Sequence, residues 1–408
     1  MGSVPGYDLA IVGGGMVGAS LAAALAGTGL SLALIESLPP EAEGHTSFDT
    51  RTTALGNASR RILESLGIWG ELAAQAAPIR AIHVSDAGRF GFARLAASEQ
   101  GLEAFGYVVP NAQLGAALWG RLRNTPGLAL HVPATITDLR VTAEGVSFDI
   151  QAGDSAPRPA SARLMVGADG AHSQVRLAAG IGALIEDYGQ VAVVANVASD
   201  APHADQAFER FTPSGPLAVL PLADGGRTVV WAVPAAEAPA LLALDEAGYL
   251  ARLQQAFGWR AGRFTRAGRR AAYPLRLTRA REAVGVRSVL IGNAAQALHP
   301  VAGQGFNLGL RDAAMLAECV ASALDPGAAE VLERFARWRA ADRRGVTRFT
   351  DGLVRLFGDT RPGVAGLRDL GLLAFDLMPP AKAALARVSL GFAGPTPRLA
   401  RGLPVRRA

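Results

Sequence analysis

Residues 8–36 read DLAIVGGGMVGASLAAALAGTGLSLALIE, an order of residue types that spells strand, glycine turn, helix, strand. Leu9 to Val12 is a short apolar run suited to a buried parallel strand, and Gly13-x-Gly15-x-x-Gly18 follows it at once, opening a helix rich in Ala and Leu. Gly13 permits a tight turn, Gly15 lets the backbone approach a pyrophosphate, and Gly18 allows helix and strand to pack closely. The helix N-terminus adds unpaired N–H groups and the positive end of a dipole. A second strand, Ser31 to Ile35, ends at Glu36, whose carboxylate can accept hydrogen bonds from both hydroxyls of an adenosine ribose. The pattern predicts a dinucleotide site, and because adenosine is common to NAD and FAD, the choice between them has to come from the rest of the chain. As a membrane span or signal sequence the uncharged run fails: Leu9 to Ile35 holds six glycines, follows Asp8, and has no Lys or Arg before it.

The chain has 408 residues, half of them hydrophobic, enough for two cores. Its single cysteine, Cys319, excludes an internal disulfide and a Cys-rich metal site, and the setting MLAECVASAL reads as a buried helix face, which fits a reducing cytoplasm. The six histidines are scattered without ligand spacing, so no metal is expected. The net charge of +5 comes from arginine, Lys382 being the only lysine, and fifteen basic against five acidic side chains fall between Arg334 and Ala408. No nucleic-acid motif or aromatic-basic stripe accompanies that charge, so nucleic acid is not an expected partner. An anionic membrane surface, an acidic neighbouring subunit or a second copy of the chain fits better.

After Glu36, residues 48–69, FDTRTTALGNASRRILESLGIW, read as a loop running into an amphipathic helix, with Arg51 where the loop returns toward the first unit. AIHVSD and FGYVVP suggest strands, and Asn111 is expected to cap a helix, NAQLGAALWGRLRN. Leu128 to Met165 reads as a meander of LALHV, TITDLRVTAEG, VSFDIQ and SARLMV. It leads into GADGAHSQVR, where Asp169 stands at the carboxyl end of a strand, the side on which ligands bind in parallel α/β sheets. Between Gly180 and Leu277 longer alternating strands and the helix AGYLARLQQAF predict an antiparallel sheet with one apolar face, able to wall a pocket. Residues 288–324, SVLIGNAAQALHPVAGQGFNLGLRDAAMLAECVASAL, again give strand, glycine-rich loop and helix. Pro300, Gly303 and Gly305 form a loop whose N–H groups can face an anionic or strongly accepting ligand. Beyond Arg334 a basic helix is followed by apolar stretches broken at Pro379 and Pro380, none reaching the roughly 20 residues of a membrane span. These are expected to close over the core, form a subunit interface, or dock on a membrane surface.

The Gly13–Gly18 fingerprint, the GADGAHSQVR segment and the glycine loop after LIGN, in this order and spacing, resemble the class A flavoprotein monooxygenases related to para-hydroxybenzoate hydroxylase. IGNAAQALHPVAGQGFNLG is similar to the UbiH/UbiF/Coq6-type ubiquinone-biosynthesis hydroxylases, and most similar to the UbiH type, the 2-polyprenyl-6-methoxyphenol hydroxylases. Asn293 and Gln296 stand where most class members have Asp and many have His, a departure the UbiH type shares. The resemblance implies an α/β fold. A discontinuous Rossmann-like FAD-binding domain (1–79, 101–179 and 285–333) would carry an inserted antiparallel-sheet substrate domain (80–100 and 180–284), with a basic C-terminal helical region (334–408).

The same resemblance implies that Gly13, Gly15, Gly18 and Glu36 hold the ADP half of FAD, with Arg51 near the pyrophosphate and the flavin and Asn111 at a contact often made by Arg. Asp169 and Gly170 would belong to a turn near FAD and NADPH. Gly292, Asn293, Pro300, Gly303, Gly305 and Asn307 would contact the ribityl chain and the flavin ring. The implied reaction is hydroxylation of a prenylated phenol through a flavin C4a-hydroperoxide, with NAD(P)H and dioxygen as co-substrates. His299 and Tyr188 are the candidate bases, and the basic C-terminal region is the candidate contact to the inner membrane face or to a biosynthetic complex. Another aromatic hydroxylase, an epoxidase or a prenyl reductase of the same fold is the alternative. A flavin halogenase is disfavoured, since the W-x-W-x-I-P signature is absent and Lys382 lies far downstream.

Overall fold

A computed structural model of the chain describes residues 6–406 apart from 43–44, 46, 48, 50, 299–302, 359–361, 392–393 and 395, with backbone alone for some helical residues between 347 and 389. The chain begins with β1 (Gly6–Val12), α1 (Met16–Leu25), β2 (Leu32–Ile35), β3 (Thr52–Gly56), α2 (Asn57–Ser65), α3 (Trp69–Leu72) and β4 (Ala77–Ile79). It continues through β5 (Ala81–Asp86), β6 (Phe92–Ala96), β7 (Gly106–Pro110), α4 (Asn111–Arg123), β8 (Leu128–His131), β9 (Thr135–Val141), β10 (Val146–Gln151), β11 (Arg158–Gly167) and α5 (Gln174–Ala178). Then come β12 (Ala183–Ser199), β13 (Gln206–Thr212), β14 (Gly215–Pro221), β15 (Arg227–Pro234), α6 (Ala238–Ala243), α7 (Glu246–Phe257), β16 (Phe264–Ala267) and β17 (Ala271–Ala280). The last elements are β18 (Val284–Gly285), β19 (Ser288–Leu290), β20 (Gln296–Ala297), α8 (Gln304–Ala321), α9 (Ala329–Gly358), α10 (Pro362–Asp376) and α11 (Pro379–Ser389).

The first sheet runs β18-β19-β11-β1-β2-β8, and its central pairs β19·β11, β11·β1, β1·β2 and β2·β8 are parallel. In β1, Leu9 and Ile11 enter a core shared with α1, α4 and α8, while Ala10 and Val12 enter a second core under β9, β10 and α5. Burial on both faces is why this strand reads as an unbroken apolar run and not as an alternation. The structure corrects two expectations. LALHV is not the first strand of the meander: it forms β8, parallel to β2, because the crossover through α4 returns the chain in the same direction. Residues 52–56 are not loop: TTALG pairs antiparallel with β7 as β3, which sets the preceding Arg51 at a strand entrance.

The second sheet runs β20-β17-β12-β15-β14-β13-β5-β6. It is antiparallel except for β13·β5, a parallel pair of strands separated in sequence by β8 to β11 of the first sheet. One face packs Val193, Trp231, Leu217 and Phe208 against Tyr249, Leu253 and Phe257 of α7. The period of two then turns the intervening residues, among them Ala207, Ala218 and Val230, to the opposite face, which walls a cavity. Helix α8 lies along α1 and is held to α9 by buried ion pairs: Asp312 is fully buried and receives Arg339 Nε at 2.7 Å. Helix α10 packs across β6, where Asp376 accepts the Arg94 N–H at 2.7 Å. Among the described residues no helix is long and apolar enough to cross a membrane.

Candidate functional site

The turn after β1 is built on two glycines that the fold itself requires. Gly13 has φ +100°, and a Cβ there would lie 2.4 Å from the Ala168 carbonyl oxygen. At Gly18 a Cβ would lie 1.9 Å from the Gly13 oxygen. Close packing at these positions brings the turns after β1 and β11 against each other. Gly15 caps α1 without a side-chain hydrogen bond, so the first-turn N–H groups of that helix are left for another acceptor. Glu36, at the end of β2, is buried and held by its neighbours: its Oε2 accepts from Gly14 N at 2.5 Å and its Oε1 from Leu38 N at 2.9 Å. Trp119 of α4, which the sequence did not single out, donates Nε1–H to Gly14 O at 3.1 Å and braces the turn from behind.

A second helix N-terminus faces the same space. Gly303, at φ +60°, caps α8, again with no side-chain hydrogen bond. Gly303 and Gly305 both line the cavity, and at Gly305 an added Cβ would meet nothing within 4 Å among the described residues. Asn307 does not line it: its Nδ2 donates to Ala54 O and Gly303 O, each at 2.8 Å, and its Oδ1 accepts from Gly56 N at 2.8 Å and Ser59 Oγ at 2.6 Å. With its amide fully engaged, this side chain shapes the helix start and has no free group for a ligand. Gly292, at φ +57°, donates its N–H to Asp312 at 3.1 Å and likewise sits behind the wall, while the exposed Asn293 is on it.

Asp169 and Gly170 line the cavity, and the Asp169 carboxylate accepts from Gln174 N at 2.7 Å and Ser173 Oγ at 2.5 Å. Asn111 lines it too, but it is the first residue of α4 and not its cap. Pro110 takes the cap position, and the Asn111 side chain instead accepts from Thr53 Oγ1 at 2.7 Å. Arg51 donates Nε–H to Asp49 at 2.7 Å and stacks 4.2 Å above the Tyr273 ring, while Tyr273 donates its hydroxyl to the same carboxylate at 2.9 Å. Burial and that hydrogen bond push the Tyr273 phenol above its ordinary pKa. The cluster ties the loop before β3 to β17 of the second sheet; Asp49 and Tyr273 carried no motif that could have marked them. Tyr188 packs against the cluster of Ala192, Val194, Ala232 and Leu275 and does not line the cavity, and His299 and Pro300 lie outside the described residues.

All these walls enclose one cavity of about 1360 Å³. That exceeds the roughly 300–1,000 Å³ of a pocket for one small ligand, leaving space for a dinucleotide and a second molecule. One lobe holds the glycine turn, Glu36 and the α8 N-terminus. The other runs between the second sheet and α10 and α11, lined by Ile82, Leu95, Phe105, Leu220, Leu372 and Phe375. Among the described residues one acid stands in this apolar lobe, the half-buried Glu209 of β13, and desolvation by the surrounding wall pushes its carboxyl up to about 7. Its sequence signal was available: in AFERF it shares strand parity with Ala207 and Phe211, on a face that is otherwise apolar.

The family model described as FAD binding domain matches residues 6–350. Ubiquinone hydroxylase UbiL of Rhodospirillum rubrum is 41% identical over 406 residues, covering 98% of this chain and 93% of the relative. The 3-demethoxyubiquinol 3-hydroxylase of Escherichia coli is 34% identical over 375 residues, 90% of this chain and 94% of the relative. The chain belongs to the UbiH/UbiF/Coq6-type ubiquinone-biosynthesis hydroxylases. It is therefore an FAD-dependent aromatic-ring monooxygenase of class A, a group that takes its electrons from NAD(P)H. The solved structure of p-nitrophenol 4-monooxygenase PnpA from Pseudomonas putida has the same fold, with a TM-score of 0.78 at 18% identity, covering 96% of this chain and 99% of that one. The cavity of this hydroxylase fits FAD on its own chemistry. Two uncapped helix N-termini offer N–H donors to anionic groups, a buried carboxylate ends β2, and the wall at Gly305 is open to a ring.

Proposed function

We propose that this hydroxylase places a hydroxyl on the ring of a prenylated (methoxy)phenol during ubiquinone biosynthesis. The observation that carries the reading is the apolar lobe continuing from the α8 N-terminus to Phe375 and Ala386, a shape suited to an aromatic head with a hydrocarbon tail. Glu36 would hold the adenosine ribose, and Gly13, Gly15 and the α1 N-terminus the pyrophosphate. Arg51, Asn111, Asp169, Gly170 and Asn293 would border the cofactor. Gly303 and Gly305, at the α8 N-terminus, would stabilise negative charge on the ring system. FAD, once reduced by NAD(P)H, supplies the activation of dioxygen. The protein's share is position and dryness: the sheet face bearing Ala207, Ala218 and Val230 and the cover of α10 and α11 keep water from the reacting ring.

We further propose that the enzyme meets its substrate at an anionic membrane surface. Phe90 and Trp259 are exposed around a surface hollow shared with Arg89, Arg260 and Asp369, and Leu370, Leu377 and Met378, on and just after the helix α10 that covers the apolar lobe, are exposed within the basic C-terminal quarter. The reaction is tested with purified holoenzyme, NAD(P)H and a prenylated methoxyphenol under isotopically labelled dioxygen. One labelled atom in the product ring supports the reading; oxygen from water, an epoxidised tail or a reduced prenyl chain ends it.

A further inference from the structure

Resting on the reading that the substrate is a phenol, we infer that the Glu209 carboxylate accepts the hydrogen bond of the substrate's hydroxyl and takes its proton. The register fixes where this side chain stands. On β13 it lies between Ala218 of β14 and Val84 of β5, with Ala207 and Phe211 two residues away on the same face, and all five border the cavity. Among the described residues nothing donates to the carboxylate or pairs with it, and burial is the sole influence on its proton affinity. The adjacent cation is spent elsewhere: Arg210 turns to the opposite face, donating to Ala256 O at 3.2 Å and Ser85 Oγ at 3.4 Å.

Among the described residues, the other titratable groups on the cavity wall are Glu36, His45, Arg51, Asp169, His172 and Tyr273, all from the glycine-turn lobe or β17. Following the register across β14, β15 and β12, Glu209 lies level with Ala271 of β17. Four strand spacings of about 4.8 Å put it about 19 Å from that strand, out of reach of the Arg51–Tyr273 cluster. Among the described residues, strands β5, β14 and β15 and helices α10 and α11 present only apolar residues to the cavity. The cofactor end is nearer: Ala54, 3.3 Å from where a Cβ of Gly303 would be, packs in one small cluster with Ala207. A ring lying beside the α8 N-terminus therefore has Glu209 as the acid that borders the same apolar space.

An unpaired carboxyl here is costly unless something is brought to it, and a phenol supplies the missing donor. In the transfer the phenolic O–H bond breaks and leaves its electron pair on the oxygen. A new O–H bond forms on Glu209, and the single negative charge passes from carboxylate to phenolate. The added electron density at the ring carbons is what an electrophilic oxygen requires. With its pKa about 7, the side chain is divided between base and acid near neutrality, so it can return the proton afterwards.

The test is binding, read from the flavin absorbance of the holoenzyme, of a short-chain prenylated methoxyphenol and of its O-methyl ether at several pH values. Wild type should prefer the phenol, and increasingly so as pH rises through about 7. Glu209→Gln should lose about tenfold or more of that preference and all of its pH dependence, Glu209→Asp should regain part, and kcat should follow the same order. A Glu209→Gln enzyme that keeps the wild-type preference and pH profile overturns the inference and leaves the phenol reading standing. Wild type that binds neither compound, while still carrying flavin, removes both.

Discussion

Replacing Glu209 by Gln should make the protein more stable, and by an amount that depends on pH. Burial raises the folded-state pKa of this carboxyl from 4.5 to about 7, so the folded chain binds its proton more tightly than the unfolded chain does. Below pH 4.5 both states are protonated and the side chain carries no penalty. Between 4.5 and about 7 the unfolded state is already ionised while the folded one is not, so stability falls as pH rises, and above 7 the full penalty is present. At about 1.4 kcal/mol per unit, the difference between the two values is worth at most about 3 kcal/mol, because the half-buried side chain keeps part of its hydration. Gln keeps the shape and has no charge to bury. Urea unfolding of wild type and Glu209→Gln, both saturated with FAD and without substrate, should show a gain of up to about 3 kcal/mol at pH 8 that shrinks below about 1 kcal/mol at pH 5. An equal gain at both pH values would falsify the idea that the carboxyl is desolvated and unpaired.

Two further outcomes are expected. Gly15 has φ −61°, open to any residue, and among the described residues a Cβ there would meet only the Ser47 side chain, whose hydroxyl can turn away, so Gly15→Val should fold and yet reject FAD. A colourless protein with wild-type far-ultraviolet circular dichroism is the expected result, and retained flavin would remove the pyrophosphate site from the α1 N-terminus. Wild type should co-sediment with vesicles containing phosphatidylglycerol, less so at high salt, and Trp259→Ala with Leu377→Ala should weaken this several-fold, since these side chains are 71% and 81% exposed. Binding unchanged in the double variant would show that the exposed apolar cluster is not the docking face.

The glycine turn, Glu36 and the strand-loop-helix at residues 288–324 were legible because each belongs to a short, continuous supersecondary unit whose order of residue types is its own signature. Gly18 is required by Gly13, and Glu36 is held by Gly14, Ser37 and Leu38. Helices with a clear period of 3.6, such as α7 and α8, were legible for the same reason. Strand β8 was misread, since LALHV looks the same in a meander and in a parallel sheet, and only the crossover decides. Asn111 shows the same limit at a helix end, where its amide serves Thr53, a partner distant in sequence.

By itself the sequence determined the dinucleotide-binding core, because strand period, glycine geometry and helix polarity act over a few neighbouring residues and leave their mark in order along the chain. Tertiary structure decided what shares the cavity with that core. Tyr273 reaches Asp49, Asp312 holds Gly292, and Phe375 covers the apolar lobe, each across a gap in sequence that no local pattern spans. Glu209 lies between the two cases: its place on an apolar strand face was written in AFERF, but whether it meets a partner, and among the described residues it meets none, depends on every wall around it. Desolvation is a property of an enclosed volume, and an enclosed volume exists only once the chain has folded.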